Sequence, residues 1–346
     1  MKTRSLLFGL LSLLLLTMGS CGSGPVTHKA TGMVYEIVVV MDKAAWTSPG
    51  GEAIKAQLNS DVPGLPQSEA SFKITYCTPD QFNNLLTYVR NILIVKIDSS
   101  LYTKVTLKAE HDIYAKNQVV MRLNAPSTES IVEHLKSHPT SIIDYFNQVE
   151  TDRMINILNS EYSSLVMKHV KKAFDIQIKV PADMNSYRDT TNFFWASNDA
   201  KMGRTDLVVY TFPYKDKNTF TADYLIAKRD SVMKENILGV FPNSYMKTQK
   251  IGITYTPLTL SNGKYCGELR GLWEMQGDMM GGPFVSHARL DEKNNRVVVV
   301  EGFVFAPETN KRNYIRRIEA ALYTLQLPGE FVEQPVKKQG EKNNKE

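Results

Sequence analysis

The chain has 346 residues, 42% of them hydrophobic and 22% charged, a globular composition with length enough for two cores. Without residues 1–20, which carry Lys2 and Arg4 but no acid, its 41 basic side chains fall to 39 against 36 acidic ones. That balance is too weak to argue for nucleic acid as a partner.

Lys2 and Arg4 precede an apolar run, Leu6 to Leu16, broken only by Gly9 and Ser12. The run is short for a bilayer span. A positive start, a short apolar core and the small residues Gly19 and Ser20 describe a secretory signal. With Cys21 directly after it, the segment resembles the lipobox of bacterial lipoproteins, apart from Met18, where that pattern usually has Leu. The resemblance implies that residues 1–20 are removed and that Cys21 is acylated, anchoring the chain to a membrane. Residues 21–32 are small and polar and read as a tether. In Bacteroidota lipoproteins, acidic residues just after the lipidated cysteine favour export to the cell surface. None occurs here before Glu36, which implies an outer-membrane protein facing the periplasm. There a disulfide between Cys77 and Cys266 is chemically allowed, although spacing does not supply the geometry. The alternative is two buried thiols acting as small apolar residues.

Residues 33–126 read as an α/β domain. Tyr35–Met41 is a nearly continuous β-branched run, the pattern of a strand covered on both faces. Pro49, Gly50 and Gly51 mark a turn before a short helix over Glu52–Leu58, and Phe72–Tyr76 alternates as a second strand. Thr78-Pro79-Asp80 predicts a helix start, with Thr78 as cap and Pro79 at the first position. Strands over Asn91–Ile97, Lys104–Tyr114 and Gln118–Leu123 complete this half, the last two joined by a tight turn at Lys116-Asn117.

Residues 127–173 predict connector helices. Ser127 or Thr128 caps the first, Pro139 interrupts it, and Thr140 or Ser141 restarts a long helix. Along it Ile142, Ile143, Phe146, Val149, Ile155, Leu158, Tyr162, Leu165, Val166 and Val170 keep three- and four-residue steps.

Residues 174–328 predict a second domain. Its strands fall at Asp175–Val180, Phe193–Ala196 and Asp206–Phe212, then, after a helix over Thr221–Asn236, at Lys250–Thr256, Lys264–Met275, Phe284–Leu290 and Arg296–Phe305. A helix over Tyr314–Leu325 closes it, and the polar stretch Asp183–Asn192 reads as weakly structured. The fold class expected for the chain is α+β: two domains of mixed or antiparallel sheet with packed helices, joined by a long helix. Ile178-Lys179-Val180-Pro181 leading in and Tyr314–Leu325 closing give a layout that resembles the sandwich of the photosystem accessory protein PsbP and its relatives. That likeness implies a binding or assembly role. Residues 329–346 are rich in Lys, Glu, Gln and Asn and read as a disordered tail.

Few motifs carry chemistry. His134 and His138 are four apart with Glu133 beside them, a spacing used by metal sites, but Pro139 follows and no third ligand is near. Glu110-His111-Asp112 lies on a strand, where neighbours point to opposite faces. Ser231-Val232-Met233-Lys234 has the Ser-x-x-Lys spacing of penicillin-recognising enzymes without their partner motifs. Neither a metal nor a cofactor is implied.

Arg270–Pro283 (RGLWEMQGDMMGGP) differs from the rest, with four glycines, three methionines and a tryptophan in fourteen residues. Two readings stay open. In one, Trp273 is core and the glycines shape a hairpin. In the other, Gly277 to Gly282 is a mobile recognition loop: Met279 and Met280 give adaptable contact, Trp273 or Phe284 presents an apolar face, and Arg270, Glu274 and Asp278 form a polar rim. With Val297–Pro307 and the closing helix, this stretch resembles an uncharacterised lipoprotein family of Bacteroidota, a domain of unknown function that brings no activity to carry over. Three functions follow from these readings. The first is a non-catalytic, lipid-anchored module that binds an envelope protein. The second is a hydrolase of an envelope polymer using Glu268, Glu274 and Asp278. The third is a small-ligand binder using the cleft between domains.

Overall fold

The structure, a computed structural model, describes residues 28–331. The signal segment, Cys21 and residues 332–346 of the expected tail lie outside the described residues.

In the first half, β1 (Glu36–Val40), β2 (Lys73–Cys77), β3 (Asn91–Ile97) and β5 (Val119–Ala125) run parallel, with β4 (Thr106–His111) antiparallel at the edge, in the order β2-β1-β3-β5-β4. The β-branched runs occupy the centre because a parallel sheet is covered on both faces. A turn of helix, α1 (Lys43–Trp46), follows β1. One face, through Ile37, Val39 and Met41, receives α2 (Pro49–Leu58), α3 (Thr128–Ser137) and the start of α4 (Ser141–Ser160). The opposite face, through Val38, Val40 and Ile92, is closed by Phe82, Leu86 and Val89. The helix expected from Thr78 is instead a pair of turns and a 3-10 turn over Asn84–Tyr88. Asn84 takes φ 42°, a left-handed conformation that an α-helix does not continue through.

The second half is an eight-stranded antiparallel sheet: β6 (Ser186–Thr190), β7 (Phe193–Ser197), β8 (Arg204–Pro213), β9 (Tyr245–Thr248), β10 (Thr254–Thr259), β11 (Tyr265–Gln276), β12 (Gly281–Asp291) and β13 (Arg296–Phe305). The order is β10-β11-β12-β13-β8-β7-β6, with β9 beside the far end of β11. On one face lie α5 (Ser164–Phe174), residues 176–184 and α7 (Arg312–Leu322); on the other lies α6 (Ala222–Asn236).

Three local expectations change. Asp175–Val180 forms only one bridge, Gln177 to Gln326, because Ile176, Ile178 and Val180 are all drawn into the core with α5 and α7. The polar Asp183–Asn192 contains strand β6, whose place at the sheet edge tolerates exposed polar residues. The strand expected over Lys250–Thr256 begins only at Thr254, as β10, and runs on through Pro257, which is accommodated because β10 is also an edge; β9 lies ahead of the expected strand.

The two cores meet within α4 rather than at residue 174. Ile142, Ile143 and Phe146 pack in the first core, whereas Leu158 and all of the buried face of α5 pack in the second. A second junction is polar. Lys311, at the N-cap of α7, has no capping side chain from its own helix. Glu69 of the first half supplies one, accepting from Lys311 N at 2.7 Å and Arg312 N at 2.9 Å, while Arg312 Nη1 donates to Ala70 O at 2.7 Å.

Candidate functional site

The stretch singled out in the sequence is the β11–β12 hairpin, and the alternation of side chains along β11 divides its residues between two faces. Trp273 is buried, with Nε1 donating to Val304 O at 3.2 Å and its ring edge-on to Phe303. Phe284 is buried beneath the Arg229 guanidinium, 3.9 Å from the ring centre. Neither can present an apolar face to a partner, which corrects that expectation. Gly281 and Gly282 lie in β12, where a Cβ on Gly282 would sit 2.0 Å from Val304 O. They permit strand packing rather than loop motion. Gly277 alone among the three turns the chain through positive φ (81°), and Met275 N donates to Met280 O at 2.8 Å to close the hairpin.

At the tip, Asp278 Oδ1 accepts from Met279 N at 2.6 Å, and Met279 projects fully into solvent. Met280 folds back against the α6-side core. Glu274 is held by Lys247 at 3.2 Å. Against this tip lies the loop of residues 238–244, to which no motif in the sequence points. It is joined through the Leu238–Tyr245 bridge, the Tyr245–Gln276 pair and the approach of Ser244 to Gly277. Leu238, Val240 and Phe241 are exposed on it. The available signal was the apolar run Ile237-Leu-Gly-Val-Phe241 in a turn-rich connection, where polar residues are the norm.

The other face of β11 carries Cys266, Glu268 and Arg270. Arg270 Nε donates to Glu268 Oε1 at 2.7 Å, and its Nη groups are bonded to Glu319 of α7. His287, opposite Glu268 on β12, meets Glu268 Oε2 at 3.1 Å, stands edge-on to Tyr323, and has its Nδ1 without a partner. Burial would raise the Glu268 pKa, but the His287 hydrogen bond and the Arg270 charge hold it at about 2. Burial would lower that of His287, yet the adjacent Cys266 thiol and Glu268 raise it to about 9. A thiol, an imidazole and a carboxylate in a row have the makings of an activated nucleophile. Here all three are buried, at 0%, 1% and 6% exposure, so no substrate carbonyl reaches the sulfur.

The carboxylates considered for hydrolysis do not converge. Glu268 and Glu274 are six residues apart on one strand, about 20 Å at the rise of a β-strand, and Asp278 belongs to the turn. Glycoside cleavage uses carboxyl pairs roughly 5–9.5 Å apart. Cys77 and Cys266 are free and buried in different sheets. His134 and His138 stack at 4.5 Å, and His138 Nδ1 is taken by the His134 carbonyl. Glu110 pairs with Lys108 and Arg122, and His111 Nε2 lies 3.3 Å from Tyr145 Oη. Ser231 is exposed on α6, and Lys234 caps the Tyr245 ring at 4.9 Å.

A buried pair that the sequence did not reveal fixes α6 beneath this site. Arg229 and Glu301 are both fully buried, bonded through Arg229 Nε at 2.9 Å and Nη2 at 2.8 Å, with Thr248 Oγ1 accepting from Nη1. Satisfying every charge in this way anchors the helix from which the exposed 238–244 loop departs.

Residues 163–324 match a family described as a domain of unknown function (DUF4837), and residues 30–159 match a second domain of unknown function (DUF8532). The chain is therefore related to uncharacterised families, and the two matches divide at the turn between α4 and α5. No curated protein matches the chain. Among solved structures, the Ran-binding protein Mog1p of Saccharomyces cerevisiae is 9% identical over 44% of this chain and 89% of its own, with a TM-score of 0.30. A Mog1 mutant is 10% identical over 44% and 90%, with a TM-score of 0.28. A protein from Bacteroides thetaiotaomicron is 15% identical over 44% of each chain, with a TM-score of 0.19.

Proposed function

We propose that this is a lipid-anchored envelope protein of the Bacteroidota type, held at the outer membrane through Cys21 and facing the periplasm, that binds a protein partner without catalysis. The anchoring and location rest on the residues around Cys21. The binding role rests on one observation: the 238–244 loop, on which Val240 is 89% and Phe241 57% exposed, adjoins the β11–β12 turn at Gly277, and Met279 in that turn is fully exposed. Large apolar side chains clustered on loops and supported by a rigid sheet are the usual form of a recognition surface. The rim is polar, through Lys247, Glu274 and Asp278.

Photo-crosslinking from position 279 in intact cells tests the surface. A discrete adduct with an envelope protein is expected, lost in the Leu238→Ser, Val240→Ser, Phe241→Ser triple variant while its melting temperature holds. Equal adducts in wild type and variant would reject the surface. Cys21→Ala tests the anchor separately, since without the thiol no lipid is attached and the signal should stay uncleaved; unchanged processing and membrane recovery would reject it.

A further inference from the structure

Between α4 and α7 the two halves leave a cleft of about 310 Å³. Arg316 enters it from α7. Its Nη1 donates to Asn147 Oδ1 at 2.7 Å and its guanidinium lies over the Tyr35 ring at 4.6 Å. Its Nε is buried without a partner. The side chain pairs with no carboxylate among the described residues. Glu319, one turn further along α7, is engaged by Arg270, and the neighbouring Arg317 is paired with Asp183 at 2.8 Å. A half-buried guanidinium without a counter-charge is costly, and an anion entering the cleft that Arg316 lines would offset that cost.

We propose that this cleft binds a small anion, the carboxylate or phosphate group of a small polar molecule, with Arg316 as its counter-charge. The planar fork of arginine suits such a group, which it can grip through two parallel hydrogen bonds. Tyr323 lines the same cleft. Burial pushes its hydroxyl well above the usual range, so it stays protonated and can donate. Two acids also face the space. Glu319 is neutralised by Arg270, and Asp144 is exposed at the rim. An adjoining cleft of about 580 Å³ shares Gln148 and Tyr323 and continues along α4 past Asp152 and Ile155. It leaves room for the body of a ligand whose charged end is at Arg316. Interfaces between domains are a common place for such sites. The inference concerns a different surface from the apolar tip and stands without it.

Calorimetric titration of the full chain with inorganic phosphate, and separately with acetate, at constant ionic strength tests the site. Saturable binding of at least one anion is expected. Affinity should fall at least tenfold in Arg316→Gln, fall less in Arg316→Lys, which keeps the charge and loses the fork, and stay unchanged in Arg317→Gln. Preference for phosphate or for acetate identifies which group the cleft takes. No saturable binding of either anion, or equal affinity in wild type and Arg316→Gln, would overturn the proposal. Should Arg316→Gln fail to fold, the comparison of Arg316→Lys with Arg317→Gln carries the same decision.

Discussion

Glu69→Ala should weaken the protein far more than a loop substitution ordinarily does, because Glu69 caps a helix that belongs to the other half. Its carboxylate is only 7% exposed and accepts from two backbone amides, Lys311 N and Arg312 N. Hydrogen bonds to a charged group are worth roughly 1.5–3 kcal/mol each. Negative charge at a helix N-terminus contributes roughly 0.3–1 kcal/mol more. The first-turn amides can regain water if the loop lifts, so the low end of these values applies. A loss of about 3–4 kcal/mol follows for alanine, and about half that for Glu69→Gln, which retains one acceptor. Urea denaturation of the full chain measures the total, and hydrogen exchange over residues 311–322 locates it, with α7 amides losing protection before those of β1 and β3. A loss below about 1 kcal/mol, or unchanged protection of α7, would refute the assignment of Glu69 as the cap.

Met279→Ser should leave the melting temperature nearly unaltered, whereas Trp273→Ala should cost about 3–5 kcal/mol, with Met280→Ser between them; thermal melts that rank them otherwise would contradict the division of the hairpin into tip and core. Gly282→Ala should abolish or severely impair folding, since its Cβ would overlap Val304 O, while Gly277→Ala should cost roughly 1–2 kcal/mol for its positive φ; equal effects on soluble yield and stability would count against this account of the glycines. Stability should also fall at both ends of the pH range. The folded His287 pKa of about 9 exceeds the unfolded value near 6.5, so its contribution is complete below about pH 6.5 and is lost as pH rises through 9. Glu268, at about 2, contributes above about pH 4.5 and loses that contribution as pH falls through 2. Denaturation of His287→Asn should show a flattened alkaline limb; a slope between pH 6.5 and 9 matching wild type would remove His287 as its source.

Local pattern was enough for much of the architecture. The β-branched runs at Tyr35–Met41 and Arg296–Phe305, the break at Pro139 and the amphipathic steps from Ile142 to Leu158 are properties of neighbouring residues, although the one long helix expected through Val170 stops at Ser160 and restarts at Ser164, where Ser163 caps α5; the α+β class with two domains follows from the order of the elements. Position in the sheet is different. Whether a polar segment such as Ser186–Thr190 is a loop or a strand depends on a partner strand elsewhere in the chain. Likewise, the burial of Trp273 and the exposure of Met279 depend on which face α6 covers. The buried Arg229–Glu301 pair, the Glu69 cap and the Arg316–Asn147 contact in the cleft join residues 72, 242 and 169 positions apart. Separations of that size have no signature along the chain. Charge, capping and cleft geometry are made by packing, so only the tertiary structure decided them.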